Sequence, residues 1–158
     1  MTGIERATTP VRTIPVPAGV AEIAGLGRID YDEAFTFETG TVLLPEEWAR
    51  LILEGAPLSK RLQMIGAWTA LGIRLAFPGS TGQVLGWRIR HSDADAVVLG
   101  VHAAVGLTAR VVIQVERQRV THTMVVRYDR ALGRRVWSRM APGHHRFVRA
   151  LLNRAGRA

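Results

Sequence analysis

The sequence predicts an α+β fold, with helices gathered on one side of an antiparallel sheet. Three observations predict it. Apolar and polar residues alternate with a period of two through most of residues 83–128. Ahead of that stretch, two helical segments follow one isolated strand. Behind it, a period of three and four runs to residue 155. With 158 residues, 47% hydrophobic and 22% charged, the chain has the length and composition of one folded domain.

Residues 1–28 read as an extended or poorly ordered N-terminal segment, and residues 29–158 as the single domain. Pro10, Pro15 and Pro17 remove backbone donors, Gly19, Gly25 and Gly27 loosen the rest, and no period holds. This segment is expected to carry no core. The first strand is expected over residues 32–39, where Phe35 and Phe37 alternate with Thr36 and Glu38 until Gly40. A helix then starts at Pro45, since proline suits the first helical position and Glu46 and Glu47 meet the positive end of the helix dipole. Trp48, Leu51 and Ile52 give it one apolar face, and Gly55 and Pro57 stop it. In a second helix, over about residues 59–74, Leu62, Ile65, Trp68, Leu71 and Ile73 point in several directions. That pattern predicts a helix covered on most sides, between other layers.

From Gln83 the period becomes two: Leu85, Trp87 and Ile89 alternate with Gly86, Arg88 and Arg90. Turn residues at 91–95 separate this strand from the apolar run 96–103. Val111, Ile113 and Val115 mark the next strand, and Gln118 and Arg119 a tight turn. Val120, His122, Met124, Val126 and Tyr128 share one face of the strand that follows. These four strands form an antiparallel meander, which with the first makes about five. The last element, residues 134–155, places Trp137, Met140, His144, Val148, Leu151 and Leu152 at helical steps. Pro142 inside it predicts a kink or the start of its second half.

This order and these lengths resemble the helix-grip fold of the START-like, polyketide-cyclase-like (SRPBCC) superfamily. Within it, the text is similar to a bacterial family that has no established activity. The likeness rests on Ile29-Asp30-Tyr31-Asp32-Glu33-Ala34-Phe35, Val97-Val98-Leu99-Gly100, Leu132-Gly133-Arg134-Arg135-Val136-Trp137, and Pro142-Gly143-His144 with Arg146. It covers residues 29–155. The resemblance implies a curved antiparallel sheet gripping a long, kinked C-terminal helix around an apolar cavity. Two departures stand out. About five strands are fewer than the fuller members have, leaving a sheet edge on which a second subunit would pair as a homodimer. Where the family pattern reads His-Leu-Asp-Phe-Arg, this chain has Gly106-Leu107-Thr108-Ala109-Arg110, so roles of that histidine and aspartate are in question.

Two function classes follow. The first is a binding module for a hydrophobic small molecule or lipid, with Trp68, Trp87, His122, Met124, Tyr128, Trp137 and Met140 lining the cavity. Arg110 joins them if it faces inward, where its guanidinium would hold a ligand carboxylate; alternation with Gln114 and Glu116 points it to solvent instead. The second is an enzyme of cyclase or aromatase type, in which His122 and Tyr128 shift protons on a polyketide-like substrate. A core histidine bonded to a neighbour is the favoured reading of His122. Binding is favoured over catalysis.

No cysteine is present, which excludes disulfides and thiolate chemistry. His144 and His145 are adjacent and diverge by about 100° on a helix, so they do not make a metal pair as i, i+4 histidines would. His91, Asp93 and Asp95 form the only acid-plus-imidazole cluster visible in the sequence, and a surface turn accounts for it. No metal and no cofactor are expected. The start of the chain carries no secretory pattern and no stretch is apolar enough to span a bilayer, so a cytoplasmic protein without an integral membrane segment is expected. The net charge of +8 is uneven: residues 1–79 hold 7 basic and 9 acidic groups, residues 80–158 hold 14 and 4. Scattered arginines without a reader motif disfavour nucleic acid as partner, and the excess is expected to solvate the outer faces of the meander and the last helix.

Overall fold

The computed structural model describes residues 8–158. Its elements are β1 (Arg12–Ile14), α1 (Val20–Ala24), β2 (Tyr31–Glu38), α2 (Pro45–Leu53), α3 (Leu58–Ala70), β3 (Gln83–Val84), β4 (Trp87–Ser92), β5 (Ala96–Ala103), β6 (Leu107–Glu116), β7 (Arg119–Tyr128) and α4 (Ala131–Gly156). The strands form one antiparallel sheet in the order β1-β2-β7-β6-β5-β4-β3. The chain is therefore α+β. Strand β2 pairs with the last strand, and the next strand lies at the far edge, so α2 and α3 carry the chain across one face of the sheet.

Seven strands replace the expected five. The segment read as one strand from Gln83 is two, β3 and β4, joined at Leu85 and Gly86, both with positive φ (47° and 92°). Left-handed backbone at both central positions is the geometry of a tight two-residue hairpin, which the alternation had hidden. The other addition, β1, is three residues long and so shows no readable period; its register on β2 (Thr13 opposite Phe35) creates it. Both edge strands are too short to offer a long unpaired ladder, so the expectation of pairing on the open edge of a narrow sheet loses its premise.

The sheet carries a core on each face. The larger joins α2 and α4 to the inward residues of the strands, with Phe35, Phe37, Trp48, Ile52, Leu99, Ile113 and Leu152 almost wholly buried. The smaller corrects the reading that the N-terminal segment carries no core. Val20, Ala24 and Leu26 are buried against Val98, Val112 and Val125 on the outer face, while Arg12–Ile14 runs extended, as expected, and pairs with β2. Residues 1–7 lie outside the described residues.

Helix α2 begins at Pro45 as expected, with Glu47 accepting a hydrogen bond from the Leu44 N–H (3.1 Å). Helix α3 corrects the sequence reading. It ends at Ala70, and Met64 is its one buried residue, while Leu58 and Leu62 are 61% and 60% exposed. Its apolar residues point several ways because the helix lies on the outside of the cavity and covers it with one side only. Helix α4 runs unbroken for 26 residues through Pro142, which therefore does not start a separate helix. Gly133 lets its first turn sit directly on the Gly106 carbonyl, a contact that a Cβ would block.

Candidate functional site

Strand alternation sends Leu107, Ala109, Val111 and Ile113 of β6 and His122 and Met124 of β7 to the inner face. Opposite them, α4 supplies Trp137, Met140, His144 and Leu151, while Ile52 of α2 and Met64 and Trp68 of α3 close the sides. The space between is a cavity of about 340 Å³. An apolar cavity of about 150 Å³ takes up benzene, so this one has room for roughly twice that volume. Its walls are overwhelmingly apolar. Polar side chains enter at Gln63, His122, Arg139 and His144.

Six of the eight residues singled out from the sequence line this cavity: Trp68, Trp87, His122, Met124, Trp137 and Met140. Trp68 and Trp87 meet edge to face at 5.6 Å, which fixes both rings. The other two lie elsewhere. Arg110 is on the outer face, where alternation with Val111 sends it. Tyr128 shares the inner parity of β7, but six residues along a strand from His122 is roughly 20 Å. Its ring instead faces the Arg134 guanidinium at 5.4 Å. A proton relay joining His122 to Tyr128 is therefore not formed.

His122 is buried, packed 6.4 Å from the Phe35 ring, and its Nδ1 has no hydrogen-bond partner. Burial pushes its pKa down to about 4; the Glu33 carboxylate opposes this and nearby His144 adds to it. The imidazole is thus neutral at pH 7. Trp87 Nε1 and Trp137 Nε1 are likewise buried without a partner. With His144 Nδ1, four cavity-lining side chains therefore carry unsatisfied nitrogens, each worth about 1–3 kcal/mol when left unpaired.

Beside the cavity lies a cluster that the sequence reading missed. Glu33, buried on β2, receives the Tyr31 hydroxyl at Oε2 (2.9 Å) and His145 Nδ1 at the same oxygen (3.1 Å). His144 Nδ1 stands 3.0 Å from Oε1, too bent for a hydrogen bond, which leaves both atoms unpartnered. Burial raises the Glu33 pKa, but the contacts with His144 and Tyr31 outweigh it and hold the carboxyl below its ordinary value. Burial first, then that carboxylate, raises the Tyr31 hydroxyl. The adjacent histidines straddle one carboxylate, one at each oxygen. The signal was present in the alternation: counting back by twos from Phe37 and Phe35 puts Glu33 and Tyr31 on the inner face.

The cluster that the sequence did show is a turn. His91 Nε2 lies 2.6 Å from Asp93 on the surface, and Asp93 accepts the backbone N–H groups of Asp95 and Ala96. Those backbone bonds, with His91, lower the Asp93 pKa to about 2. It is not the only acid-plus-imidazole group, since Glu33 with His144 and His145 is another. Among the described residues no three His, Asp or Glu side chains converge as metal ligands, and no helix is long and apolar enough to cross a membrane. Comparison with protein-family models, curated proteins and solved structures gives no match to this chain.

Proposed function

We propose that this chain is a cytoplasmic helix-grip protein of the START-like type that binds a hydrophobic small molecule between its sheet and α4. The observation that carries the reading is the apolar cavity with neutral His122 in its wall. Apolar walls supply the affinity through burial, and a few polar groups orient the ligand. The unpartnered nitrogens of His122, Trp87 and Trp137 narrow the ligand to an apolar body carrying one or two hydrogen-bonding oxygens. The seven-stranded antiparallel sheet and the long C-terminal helix support the family likeness.

The test is purification without detergent, followed by organic extraction and mass spectrometry of what the folded protein carries. One apolar molecule at near one-to-one ratio is the expected result, lost when Ala109→Trp fills the cavity. An empty protein that also fails to quench its own tryptophans with medium-chain alcohols or ketones would overturn the reading. A second reading is favoured by the neutral imidazole: His122 as general base, with the Glu33–His144 pair rather than Tyr128 beside it. Under it, His122→Ala abolishes turnover yet leaves ligand binding, whereas a pure carrier shows no turnover to lose.

A further inference from the structure

The outer face of the sheet has a concavity of its own, of about 790 Å³. Its cations come from four separate parts of the chain. Arg88 and Arg90 lie on β4, Arg110 on β6, Arg74 after α3 and Arg130 before α4. The sheet register explains why they meet. Arg88 stands opposite Gly100, and Gly100 opposite Arg110, so one glycine separates two arginines in a cross-strand row. Arg90 joins them through the irregularity between Ile89 and His91, and its side chain also lies over Gly100. A Cβ at Gly100 would come within 2.6 Å of Arg90 Cδ and 2.8 Å of an Arg110 terminal nitrogen. The missing side chain is what lets the guanidinium groups close over the floor.

Their charge is not balanced locally. Among the described residues no carboxylate lies within ion-pair distance of any of these five arginines. Asp129 is the one acidic residue lining the concavity, and it is taken by Arg127 (2.8 Å), Thr108 (2.7 Å) and His102 (3.5 Å). Arg110 donates one bond to the Ala109 carbonyl, while its Nε is buried without a partner. Its pKa is lowered by burial and then by the neighbouring charges of Arg90 and Arg127. Like charges set across a sheet destabilise it, so such a group costs stability unless an anion joins it. An excess of arginine that merely solvated the surface would spread out; this one converges in a hollow.

We propose that this hollow is a binding site for a compact anion carrying two or more phosphoryl groups. Five guanidinium groups match the charge of a di- or triphosphate better than that of a single carboxylate. Their planar forks also suit phosphate oxygens, which accept two parallel hydrogen bonds. The lining arginines converge on one hollow from four segments rather than following one helix or strand, which fits a compact anion. It is also separate from the apolar cavity, on the opposite side of the same strands.

The experiment is isothermal titration of the whole protein with tripolyphosphate, pyrophosphate and adenosine triphosphate at about 50 mM salt, where exposed charges are weakly screened. One saturable site is expected for all three, weakened tenfold or more by Arg110→Gln and by Gly100→Ala, which retains every charge. Arg119→Gln, outside the hollow, is expected to leave the affinity unchanged. Circular dichroism checks each fold, and Arg88→Gln on the exposed face of β4 replaces any variant that fails. Binding of the nucleotide alone would assign the site to nucleotides within the same chemistry, provided adenosine itself does not bind. Three results would overturn the proposal. One is the absence of saturable binding by any phosphate; another is equal loss from Arg119→Gln. The third is binding only to DNA or to anionic vesicles, with an affinity that grows with length or surface.

Discussion

Strands β5 and β6 carry opposite chemistries on their two sides. Inward, Val101, Ala109, Val111 and Ile113 make the wall of a cavity whose few polar nitrogens go unpartnered. Outward, the intervening residues divide along the strand. Val98 and Val112 lie under α1, whereas Gly100, His102, Thr108 and Arg110 line the second hollow with the arginines of β4 and the flanking loops. The two hollows are thus one residue apart in sequence and a sheet's thickness apart in space. The comparison teaches that what covers a strand decides its polarity as much as its own text does. Helices α2, α3 and α4 close over the cavity side of the inner face, and its wall is mostly apolar even where it is not filled. A helix of five residues covers only part of the outer face, and the remainder carries threonines and the arginine hollow.

The contrast can be broken most strongly from the inside. Ile113→Ala enlarges a wall that is already hollow, and it is expected to lower unfolding stability by about 2–5 kcal/mol in urea titrations. A loss below about 1 kcal/mol would mean that the inner wall is not packed as described.

A smaller effect is expected from pH. The folded pKa of His122 is lowered to about 4. The unfolded chain therefore binds the proton more readily, and this contribution to stability is complete above about pH 6.5 and is lost as pH falls toward 4. It amounts to about 3 kcal/mol at most. Glu33 acts in the same sense at lower pH, because a depressed carboxyl pKa gives stability that is lost on acidification. Unfolding midpoints at pH 7 and pH 5 should fall for the wild type and fall distinctly less for His122→Phe. Parallel slopes for the two proteins would sink the assignment.

The smallest effect belongs outside. Arg110→Ala removes one of several like charges and is expected to change stability by less than about 1 kcal/mol, in the stabilising direction at low salt. The difference should vanish as salt rises. A clear destabilisation would show that Arg110 supports the sheet rather than awaiting an anion.

Much of this was legible in the chain. The period of two in residues 83–128 gave the meander, Pro45 with Glu46 and Glu47 gave the start of α2, and the apolar steps from Trp137 to Leu152 gave α4. The aromatic and methionine residues that line the cavity followed from the same parity. Short elements were not legible. In Arg12–Ile14 three residues have no period, and in Leu85 and Gly86 a left-handed turn interrupts an alternation that continues on both sides. Helix α3 misled for a different reason. A helix apolar on several sides reads as buried, but here it borders a cavity and solvent at once, and periodicity does not distinguish a filled neighbour from an empty one.

The sites divide in the same way. His122 is legible because it stands on an apolar strand face. Glu33 is a charged residue at the start of β2, where the period marked by Phe35 and Phe37 has no further apolar member but Tyr31. Its partners His144 and His145 come from a helix 111 and 112 positions later, a distance that no local pattern spans. Arg88, Arg90 and Arg110 lie on the outer face of the meander as alternation predicts, but their convergence in one hollow has no signature in the sequence. By itself the sequence determined which residues alternate, where the long helices begin and which side chains could do chemistry, because these depend on neighbours three or four positions away. Only the tertiary structure decided that five arginines from four segments share one hollow and that one carboxylate serves two histidines. Such meetings depend on sheet register and helix placement, which are set by the packing of the whole chain.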